Sequence, residues 1–348
     1  MVPMVCVVMG ASAGHGALTA PLMDFVVMVE GAALFSAGPP LVKAATGEDV
    51  TKEELGGAAL HTAVSGVAHN AAPDDPAGLD LARRYLSYFP SSAWERPPRA
   101  GGDDTGGRVL DTLLELIPAD PRRGYDVRAV VDLVADLGSV LEIGPGFGCT
   151  IVTALARVGG EAVAVVANQP AVKAGSIDAD GADKATHFLE VADAFHLPVL
   201  FLADNPGVLA GSGAERTGIL RHAARMFAAQ AGVRSPKLHV TLRKAYGFGS
   251  SLMAMNPFDG QTVTLAFPGA RLGAMGAESG ARAAGLEGDA RELLAHAEVG
   301  GAYSSADTMS YDEVIEPREL RNALLAALRL GARRSEAPRP ARRRGILP

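Results

Sequence analysis

The chain has 348 residues, of which 48% are hydrophobic and 5% aromatic, and its formal net charge is −7. This length and apolar content allow a large core and favour two domains. The acidic balance and the scarcity of aromatic rings argue against a nucleic-acid-binding protein, and no apolar run is long enough to predict a membrane span.

Strands and helices alternate along the predicted chain, which indicates an α/β fold. In chain order they are a strand at 1–9, a strand at 25–29, an apolar segment at 32–37, a helix opening at 41–45, a helix start at 51–54, helices at 76–86 and 127–137, a strand at 162–166, a helix at 183–195, a strand at 198–203, a helix at 219–231, and strands at 237–242 and 262–266. The start at 51–54 is predicted because Thr51 and Glu54 have the spacing of a capping box.

Composition also suggests how the chain is divided. Proline and glycine crowd residues 90–107, which reads as a linker, so we predict one domain at 1–100 and a second at 101–330. Residues 331–348 are rich in arginine and proline and are predicted to form a disordered basic tail. Two cysteines and the lack of a basic signal region favour a reducing, cytoplasmic compartment.

The strand predicted at 1–9 begins almost at the first residue. A parallel sheet needs neighbouring strands before its first strand-to-helix turn can be held in place. We therefore expect the first domain to be incomplete at its N-terminus when compared with a larger architecture.

Two segments of the chain combine an apolar strand, a Gly-X-Gly turn and a small-residue helix start. We call residues 14–16 the first bend and residues 247–249 the second bend; they consist of Gly14, His15 and Gly16, and of Gly247, Phe248 and Gly249. Each would aim two backbone N–H groups at one point, which holds an oxyanion without a catalytic side chain. The pair predicts two substrates that each develop enolate-like charge.

Either bend alone is also compatible with an ordinary tight turn, and the repetition is what favours two oxyanion sites. His15 is open to two interpretations, as a proton-transferring side chain or as a backbone donor. The backbone role is favoured because Phe248 occupies the matching place and cannot transfer protons.

Residues 140–148 resemble the first motif of S-adenosylmethionine-dependent methyltransferases, a strand that feeds a glycine-rich loop. That fold needs an acidic residue after the next strand to hold the ribose. The next predicted strand, at 162–166, is followed by residues 167–170, which contain no acid. A methyltransferase is therefore a weaker hypothesis.

Other ionisable residues give little support for side-chain catalysis. Asp204 and Glu215 are candidate bases, although helix capping or a solvated loop position is favoured for both. His222 is predicted to be packed or hydrogen-bonded, and the spacing of His61 and His69 does not match a zinc site. No metal is expected, and the chemistry is predicted to rest on backbone donors.

Several short segments together resemble the carboxyltransferase (β) subunit of biotin-dependent acyl-CoA carboxylases of the propionyl-CoA carboxylase type. The resemblance runs from about Val2 to Leu330, and its clearest segments are 48–57, 61–62, 65–69, 167–170, 193–195, 204, 206–207, 218–222, 243–247 and 314–317.

This resemblance implies two crotonase-like domains of the ClpP/crotonase superfamily, the first of them incomplete. It implies that the first bend holds the thioester carbonyl of a short-chain acyl-CoA and the second holds the ureido oxygen of biotin. The carboxyl group would move between carboxybiotin and the acyl α-carbon, in a site between subunits of a homo-oligomer. The implied partner is a biotin carboxylase or biotin carboxyl carrier subunit. Candidate substrate contacts flank the bends: Ala13, Ala17, Tyr246, Ser250 and Ser251.

The chain departs from the family at the bends, where His15 and Phe248 stand in place of glycine. Their side chains must point away from the ligand. Ser251 occupies the position that tunes acyl choice in the family, so chain length stays open. Replacement of Gly249 by valine is expected to abolish transfer with the fold nearly intact. A biotin-dependent decarboxylase subunit and an inactive scaffold subunit remain alternatives.

Overall fold

The computed structural model describes residues 1–255 and 260–334, which form a mixed α/β fold. The strands are β1 Val5–Val8, β2 Ala11–Ala13, β3 Phe25–Val29, β4 Ala33–Phe35, β5 Asn70–Ala72, β6 Leu141–Ile143, β7 Ile151–Val158, β8 Glu161–Asn168, β9 Val199–Asn205, β10 Lys237–Tyr246, β11 Val263–Ala266, β12 Arg271–Gly273 and β13 Glu313–Val314. The helices are α1 His15–Leu18, α2 Pro39–Thr46, α3 Lys52–Gly56, α4 Ala58–Ala63, α5 Asp75–Leu86, α6 Leu113–Leu116, α7 Val127–Val134, α8 Ala179–Ala194, α9 Ser212–Arg216, α10 Ile219–Gly232, α11 Gly247–Leu252, α12 Ala277–Ala284, α13 Gly288–Val299, α14 Gly301–Asp307 and α15 Leu320–Arg334.

The largest sheet has eight strands in the described residues, in the order β13-β11-β10-β9-β8-β7-β6, with β12 paired to the end of β10. The strands from β8 to β13 pair in parallel, whereas β7 runs antiparallel to both β6 and β8. Both faces of this sheet are covered, which is why its central strands are almost continuously apolar.

Alternate residues of β8 enter two different cores. Ala164 and Val166 pack on the face covered by α8 and α10, while Val163 and Val165 pack on the face covered by α7 and α15. This alternation follows from the two-residue period of a strand.

The N-terminal part of the chain contributes a parallel sheet of three strands, β1-β3-β5, and a pair of short strands, β2-β4. Phe25 of β3 stacks on Tyr85 of α5, with ring centroids 4.4 Å apart. Phe89 then meets Phe195 edge-on at 5.4 Å. The N-terminal sheet and the α8 face of the large sheet therefore share one apolar core.

Elements with strong local signals are confirmed. The strand predicted at 25–29 is β3, and the helices predicted at 76–86 and 219–231 are α5 and α10. The capping box is also present, because Thr51 Oγ1 accepts from the Glu54 N–H at 3.2 Å and Glu54 Oε2 accepts from the Thr51 N–H at 3.0 Å.

Other boundaries were wrong. The first strand begins at Val5 rather than at residue 1, α7 ends at Val134 rather than 137, and β7 was not predicted. Helix α15 continues to Arg334, so residues 331–334 belong to a helix and not to a disordered tail. The rest of the predicted tail, 335–348, lies outside the described residues, and the division at residue 100 stays a prediction.

The glycine-rich loop at 144–148 is a packing junction. A Cβ at Gly146 would lie 2.7 Å from the carbonyl oxygen of Thr62, and one at Gly148 would lie 2.6 Å from that of Asp180. Lys184 Nζ donates to the carbonyl oxygens of Gly144 and Phe147 at 3.1 and 2.6 Å. Because β6 and β7 are also antiparallel, the methyltransferase hypothesis loses its structural basis.

The helices in the described residues are too short or too polar to cross a lipid bilayer. Among them, no helix combines the length and the apolar composition of a membrane span.

Candidate functional site: two glycine bends

Both glycine bends lie at the start of a short helix. Gly14 has φ +62° and immediately precedes α1, while Gly247 has φ +54° and opens α11. Glycine adopts this backbone conformation at little cost, so it allows a strand to turn sharply into a helix. The predicted combination of strand, glycine turn and helix start is therefore present twice.

The first bend follows β2, which pairs in parallel with β4. The Gly14 N–H donates to the carbonyl oxygen of Phe35 at 3.1 Å, so it is not available to a ligand. A Cβ at Gly16 would lie 3.1 Å from Ser12 Oγ. The bend itself is exposed in the single chain.

The second bend follows β10, where Ala245 pairs with Asn205 of β9 and Tyr246 pairs with Gly273 of β12. Gly249 is buried, and a Cβ there would lie 2.6 Å from Asn205 Oδ1 and 2.8 Å from Gly207 Cα. The second bend therefore packs closely against the turn that follows β9.

The middle residue of each bend carries a bulky side chain that would narrow a ligand site if it pointed inward, and in both bends this residue is exposed. The His15 side chain is exposed, and Phe248 is 51% exposed. The first N–H groups of a helix have no acceptor within that helix. No hydrogen bond joins the N–H groups of the second and third residues of either bend to another described residue. Each bend thus has two adjacent N–H groups without an acceptor among the described residues.

The two bends belong to different sheets of the chain. The first is attached to the β2-β4 pair, and the second to the carboxyl end of β10 in the large sheet. No hydrogen bond or ion pair joins residues 13–17 to residues 246–251 within the described part of the chain. One copy of the chain therefore carries its two bends on different sheets.

The candidate contacts that flank the bends are mostly engaged within the protein. Tyr246 is buried and its hydroxyl donates to Glu298 Oε1; burial and this carboxylate raise the pKa of the Tyr246 hydroxyl. Ser250 Oγ donates to the Gly247 carbonyl oxygen at 2.7 Å.

The other three flanking residues differ in exposure. Ser251 is half-buried, and its carbonyl oxygen accepts from Gln230 Nε2 at 2.9 Å. Ala13 is exposed and Ala17 is buried.

Asp204 is neither a helix cap nor a solvated loop charge, and the expectation for this residue was wrong. It is fully buried, and its Oδ2 accepts from Arg243 Nε at 2.7 Å. Lys244 Nζ lies 3.6 Å from its Oδ1. Glu215, by contrast, is exposed on α9 as expected.

The Arg243 guanidinium also organises the loop that leads to α7. Its Nη1 donates to the carbonyl oxygens of Pro118, Asp120 and Arg123 at 3.2, 3.0 and 2.9 Å. Sequence reasoning missed this cluster, although two consecutive cations inside a strand are a usable signal.

Two buried amide side chains next to the second bend were also missed. Asn168 and Asn205 end the neighbouring strands β8 and β9, and both are fully buried. The signal in the sequence is a polar residue at the end of each of two adjacent strands, directly before a turn.

The expectation that His222 is hydrogen-bonded is confirmed, and His61 and His69 also make hydrogen bonds within the chain. His222 Nδ1 lies 2.8 Å from Asp183 Oδ1, and His69 Nδ1 accepts from the Val26 N–H at 2.9 Å. His61 contacts Ser65 Oγ through Nδ1 at 2.7 Å. Within residues 1–255 and 260–334, no group of three or more acidic, histidine or cysteine side chains is arranged to hold a metal ion.

Comparison with known proteins identifies relatives along the whole chain. The sequence profile of the carboxyl transferase domain family matches residues 1–347. The methylmalonyl-CoA carboxyltransferase 12S subunit of Propionibacterium freudenreichii subsp. shermanii is 37% identical over 359 residues, which cover 100% of this chain and 68% of that protein. The carboxyltransferase subunit of propionyl-CoA carboxylase from Haloferax mediterranei is 37% identical over 360 residues, covering 100% and 69%.

A decarboxylase subunit is also similar. Subunit alpha of the Veillonella parvula methylmalonyl-CoA decarboxylase is 35% identical over 352 residues, covering 100% of this chain and 69% of that protein. Among solved structures, transcarboxylase 12S, described as a hexamer assembly with methylmalonyl-CoA and methylmalonic acid bound, superposes with a TM-score of 0.92. It is 37% identical, and the match covers 99% of this chain and 68% of that one.

Proposed function

Because the chain belongs to the carboxyl transferase domain family, we propose that it moves a carboxyl group between carboxybiotin and the α-carbon of an acyl-CoA. The family match and the relatives confirm the predicted family and an acyl-CoA carboxyltransferase enzyme. The substrate class, the direction of transfer, the partners and the roles of individual residues belong to the proposal.

The observation that carries the proposal is the duplicated donor pair. In each bend the first residue is a glycine with positive φ at the start of a helix, and the second residue is exposed. The third residue is a glycine at which a Cβ would lie 3.1 Å or less from a neighbouring atom. Such adjacent N–H groups stabilise an oxyanion, and each donor lowers the reaction barrier by about 3–4 kcal/mol. Two of them serve a reaction in which two carbonyl oxygens take up charge in turn.

At the first bend the ligand is the thioester carbonyl of the acyl-CoA. The His15 and Gly16 N–H groups are the donors, since the Gly14 N–H already bonds to Phe35. The α-proton of the thioester would pass to the ureido nitrogen from which the carboxyl group departs, and the resulting enolate carries its new charge on the thioester oxygen. The imidazole of His15 is not needed for this step, because the backbone alone provides the stabilisation.

The residues of the second bend fit the ureido group of biotin, which a partner protein would deliver as a co-substrate. The Phe248 and Gly249 N–H groups are the donors, and the Phe248 side chain lies at the surface. When bound, biotin supplies the transferable carboxyl group and accepts negative charge on its ureido oxygen. The chain binds and orients that oxygen and stabilises its charge.

We further propose that the site is completed between two copies of the chain in a homo-oligomer. The first bend of one copy would face the second bend of another, which accounts for their positions on different sheets. In this proposal, residues 1–100 and 101–330 are the two crotonase-like domains. The partner is a biotin carboxylase or biotin carboxyl carrier subunit, and a cytoplasmic setting stays a prediction.

The proposed acyl-CoA is of the short-chain, acetyl or propionyl class. The second candidate function is the carboxyltransferase subunit of a biotin-dependent decarboxylase, which the similarity to the Veillonella parvula decarboxylase subunit favours. Both functions share the same half-reaction, run in opposite directions. Both predict transfer from malonyl-CoA or methylmalonyl-CoA to free biotin, whereas an inactive scaffold predicts none.

A matched pair of variants at Phe248 tests the backbone mechanism. Phe248→Pro removes the N–H at a position in the first helical turn where proline is tolerated. Phe248→Ala removes the ring and keeps the N–H. Because the N–H is the catalytic group, we expect transfer from methylmalonyl-CoA to free biotin to fall about 100- to 1,000-fold in the proline variant.

The alanine variant should stay within about threefold of the parent protein, because only side-chain contacts are lost. The reverse order, with alanine inactive and proline active, would remove the backbone donors from the mechanism. Absence of any transfer by the parent protein, with no binding of CoA in calorimetry, would favour the scaffold alternative.

A further inference from the structure

Two buried asparagines connect the ends of three neighbouring strands. Asn168 Oδ1, at the end of β8, accepts from the Asp204 N–H at 3.1 Å and from Asn205 Nδ2 at 3.0 Å. Asn205 Oδ1, at the end of β9, accepts from the Gly207 N–H at 3.0 Å. Hydrogen bonds are electrostatically stronger in the low-dielectric interior than in water, so this chain of hydrogen bonds holds the turn at 205–207, while Asn168 Nδ2 is buried without a partner among the described residues.

This chain of hydrogen bonds through Asn168 and Asn205, which we call the relay, ends in contact with Gly249 of the second bend. Asn205 also pairs with Ala245 across the β9–β10 ladder, two residues before Gly247. A Cβ at Gly249 would lie 2.6 Å from Asn205 Oδ1, 2.8 Å from Gly207 Cα and 2.9 Å from Gly207 C. The backbone of Gly249 therefore rests on the Asn205 amide and on the turn that this amide holds.

The turn is anchored on its other side as well. The Gly207 carbonyl oxygen accepts from the Ile177 N–H at 3.2 Å, and the Ile177 carbonyl oxygen accepts from the Leu209 N–H at 2.8 Å. With the far side of the turn fixed in this way, the near side depends on Asn205. A shift at Asn205 is then passed on to Gly249 rather than absorbed elsewhere.

We propose that Asn205, oriented by Asn168, is a positioning residue that aims the N–H groups of the second bend at the ligand. This inference rests on the proposed function for its catalytic consequence. Asn205 does not touch the substrate; it acts through Gly207 and Gly249. Because a displacement of about 1 Å in a reacting group lowers a rate by as much as 100-fold, a small shift in this support is sufficient to reduce catalysis.

Three substitutions at Asn205 separate hydrogen bonding from packing. Asn205→Leu keeps the branched shape with a larger volume and loses both hydrogen bonds, and Asn205→Ala loses both hydrogen bonds with a smaller volume. Asn205→Asp keeps an acceptor for the Gly207 N–H. We expect kcat for transfer to free biotin to fall about 10- to 100-fold in the leucine and alanine variants and to be partly restored in the aspartate variant. The KM for acyl-CoA should change by less than about twofold, because that substrate is bound at the first bend.

A second readout does not depend on catalysis. Hydrogen–deuterium exchange of the full-length leucine variant should be faster in residues 247–253 than in the parent protein, and unchanged in residues 14–22. Asn70→Leu is the matched control: Asn70 is buried, and its amide bonds to the Glu142 carbonyl oxygen and the Gly144 N–H, away from the bend. That control should lower stability without changing kcat.

The inference is overturned if Asn205→Leu retains the kcat of the parent protein, or if exchange in residues 247–253 does not change. A loss of kcat in Asn70→Leu equal to that in Asn205→Leu would also overturn it, since general destabilisation would then explain both. If the parent protein transfers no carboxyl group, the proposed function fails, and the exchange measurement still decides whether Asn205 positions the bend.

Discussion

At the scale of single residues, the third glycines of the two bends are not equivalent. A Cβ at Gly249 would meet backbone atoms of Gly207 at 2.8 and 2.9 Å, whereas a Cβ at Gly16 would meet only Ser12 Oγ at 3.1 Å. Backbone atoms in a paired turn cannot move aside, but a serine hydroxyl can rotate. The expectation that Gly249→Val leaves the fold nearly intact is therefore inconsistent with the packing around Gly249.

We predict that Gly249→Ala lowers the free energy of unfolding by about 1–3 kcal/mol, the usual cost of overpacking, and abolishes carboxyl transfer. Gly16→Ala should cost less than about 1 kcal/mol, because Ser12 can adopt another rotamer. Urea denaturation of the two variants measures the difference. Equal losses of unfolding free energy at both positions would show that the backbone next to Gly249 can move to accommodate a methyl group.

A second residue-scale prediction concerns a buried histidine in β10. His239 is fully buried, its Nδ1 donates to the Met253 carbonyl oxygen at 2.7 Å, and its Nε2 accepts from the Thr241 hydroxyl at 2.7 Å. The Tyr311 hydroxyl donates to Thr241 Oγ1 at 2.8 Å, which leaves the Thr241 proton for the imidazole. Burial lowers the pKa of His239 from its usual 6.5 to about 4.

Between pH about 4 and 6.5 the unfolded chain binds a proton at this site that the folded chain does not bind. Stability therefore rises with pH across this window and is lost as the pH falls through it, by up to about 1.4 kcal/mol per pH unit for one proton. We predict that His239→Gln, which can still donate to Met253, removes this contribution. Denaturation at pH 4.5, 5.5 and 7 should give a shallower dependence for the variant, and an unchanged slope would show that His239 titrates normally.

At the scale of elements, an irregularity in β10 explains the buried charges near the second bend. The register between β9 and β10 shifts between Thr241 and Ala245. A bulge of this kind redirects side chains, so two consecutive residues can face the same side. Arg243 and Lys244 thus both approach Asp204.

We predict that Arg243→Met lowers the free energy of unfolding by about 3 kcal/mol, because buried Asp204 loses its hydrogen-bonded cation and keeps only Lys244, at 3.6 Å. The substitution also leaves the carbonyl oxygens of the loop at 118–123 without their donor. The double variant Asp204→Asn/Arg243→Met should lose less than the sum of the single changes, since both remove the same interaction. If the losses of unfolding free energy in the two single variants add up to the loss in the double variant, Asp204 and Arg243 do not stabilise each other.

The same elements show how far the sequence was informative. Strand β3 and helices α5 and α10 were predictable because each has a clear apolar period and a turn or cap at its end. The role of Asp204 was not predictable, because it depends on a register shift between strands that are distant in sequence. The relay through Asn168 and Asn205 depends on strand neighbours in the same way. The local period of apolar residues is enough to predict helices and strands. The contacts of a buried polar side chain depend on which strands are neighbours in the sheet, which the local sequence does not show.

At the scale of the whole molecule, one apolar core joins the N-terminal sheet to the large sheet, and the glycine-rich loop at 144–148 closes the junction. This shared core fixes the N-terminal strands against α8. The two bends belong to separate sheets, and no hydrogen bond or ion pair joins them within the described residues. A site between copies follows if the proposed reaction uses both bends.

Subunit complementation tests this arrangement. His15→Pro removes a donor from the first bend and Phe248→Pro removes one from the second, and each homo-oligomer should be nearly inactive. If each site combines the first bend of one copy with the second bend of another, random mixing leaves about one site in four with both bends intact. We therefore predict that unfolding and refolding the two variants together restores about a quarter of the parent activity. Mixing without exchange of copies is the control and should restore none; the absence of recovery in verified mixed oligomers would place both bends of one site in a single chain.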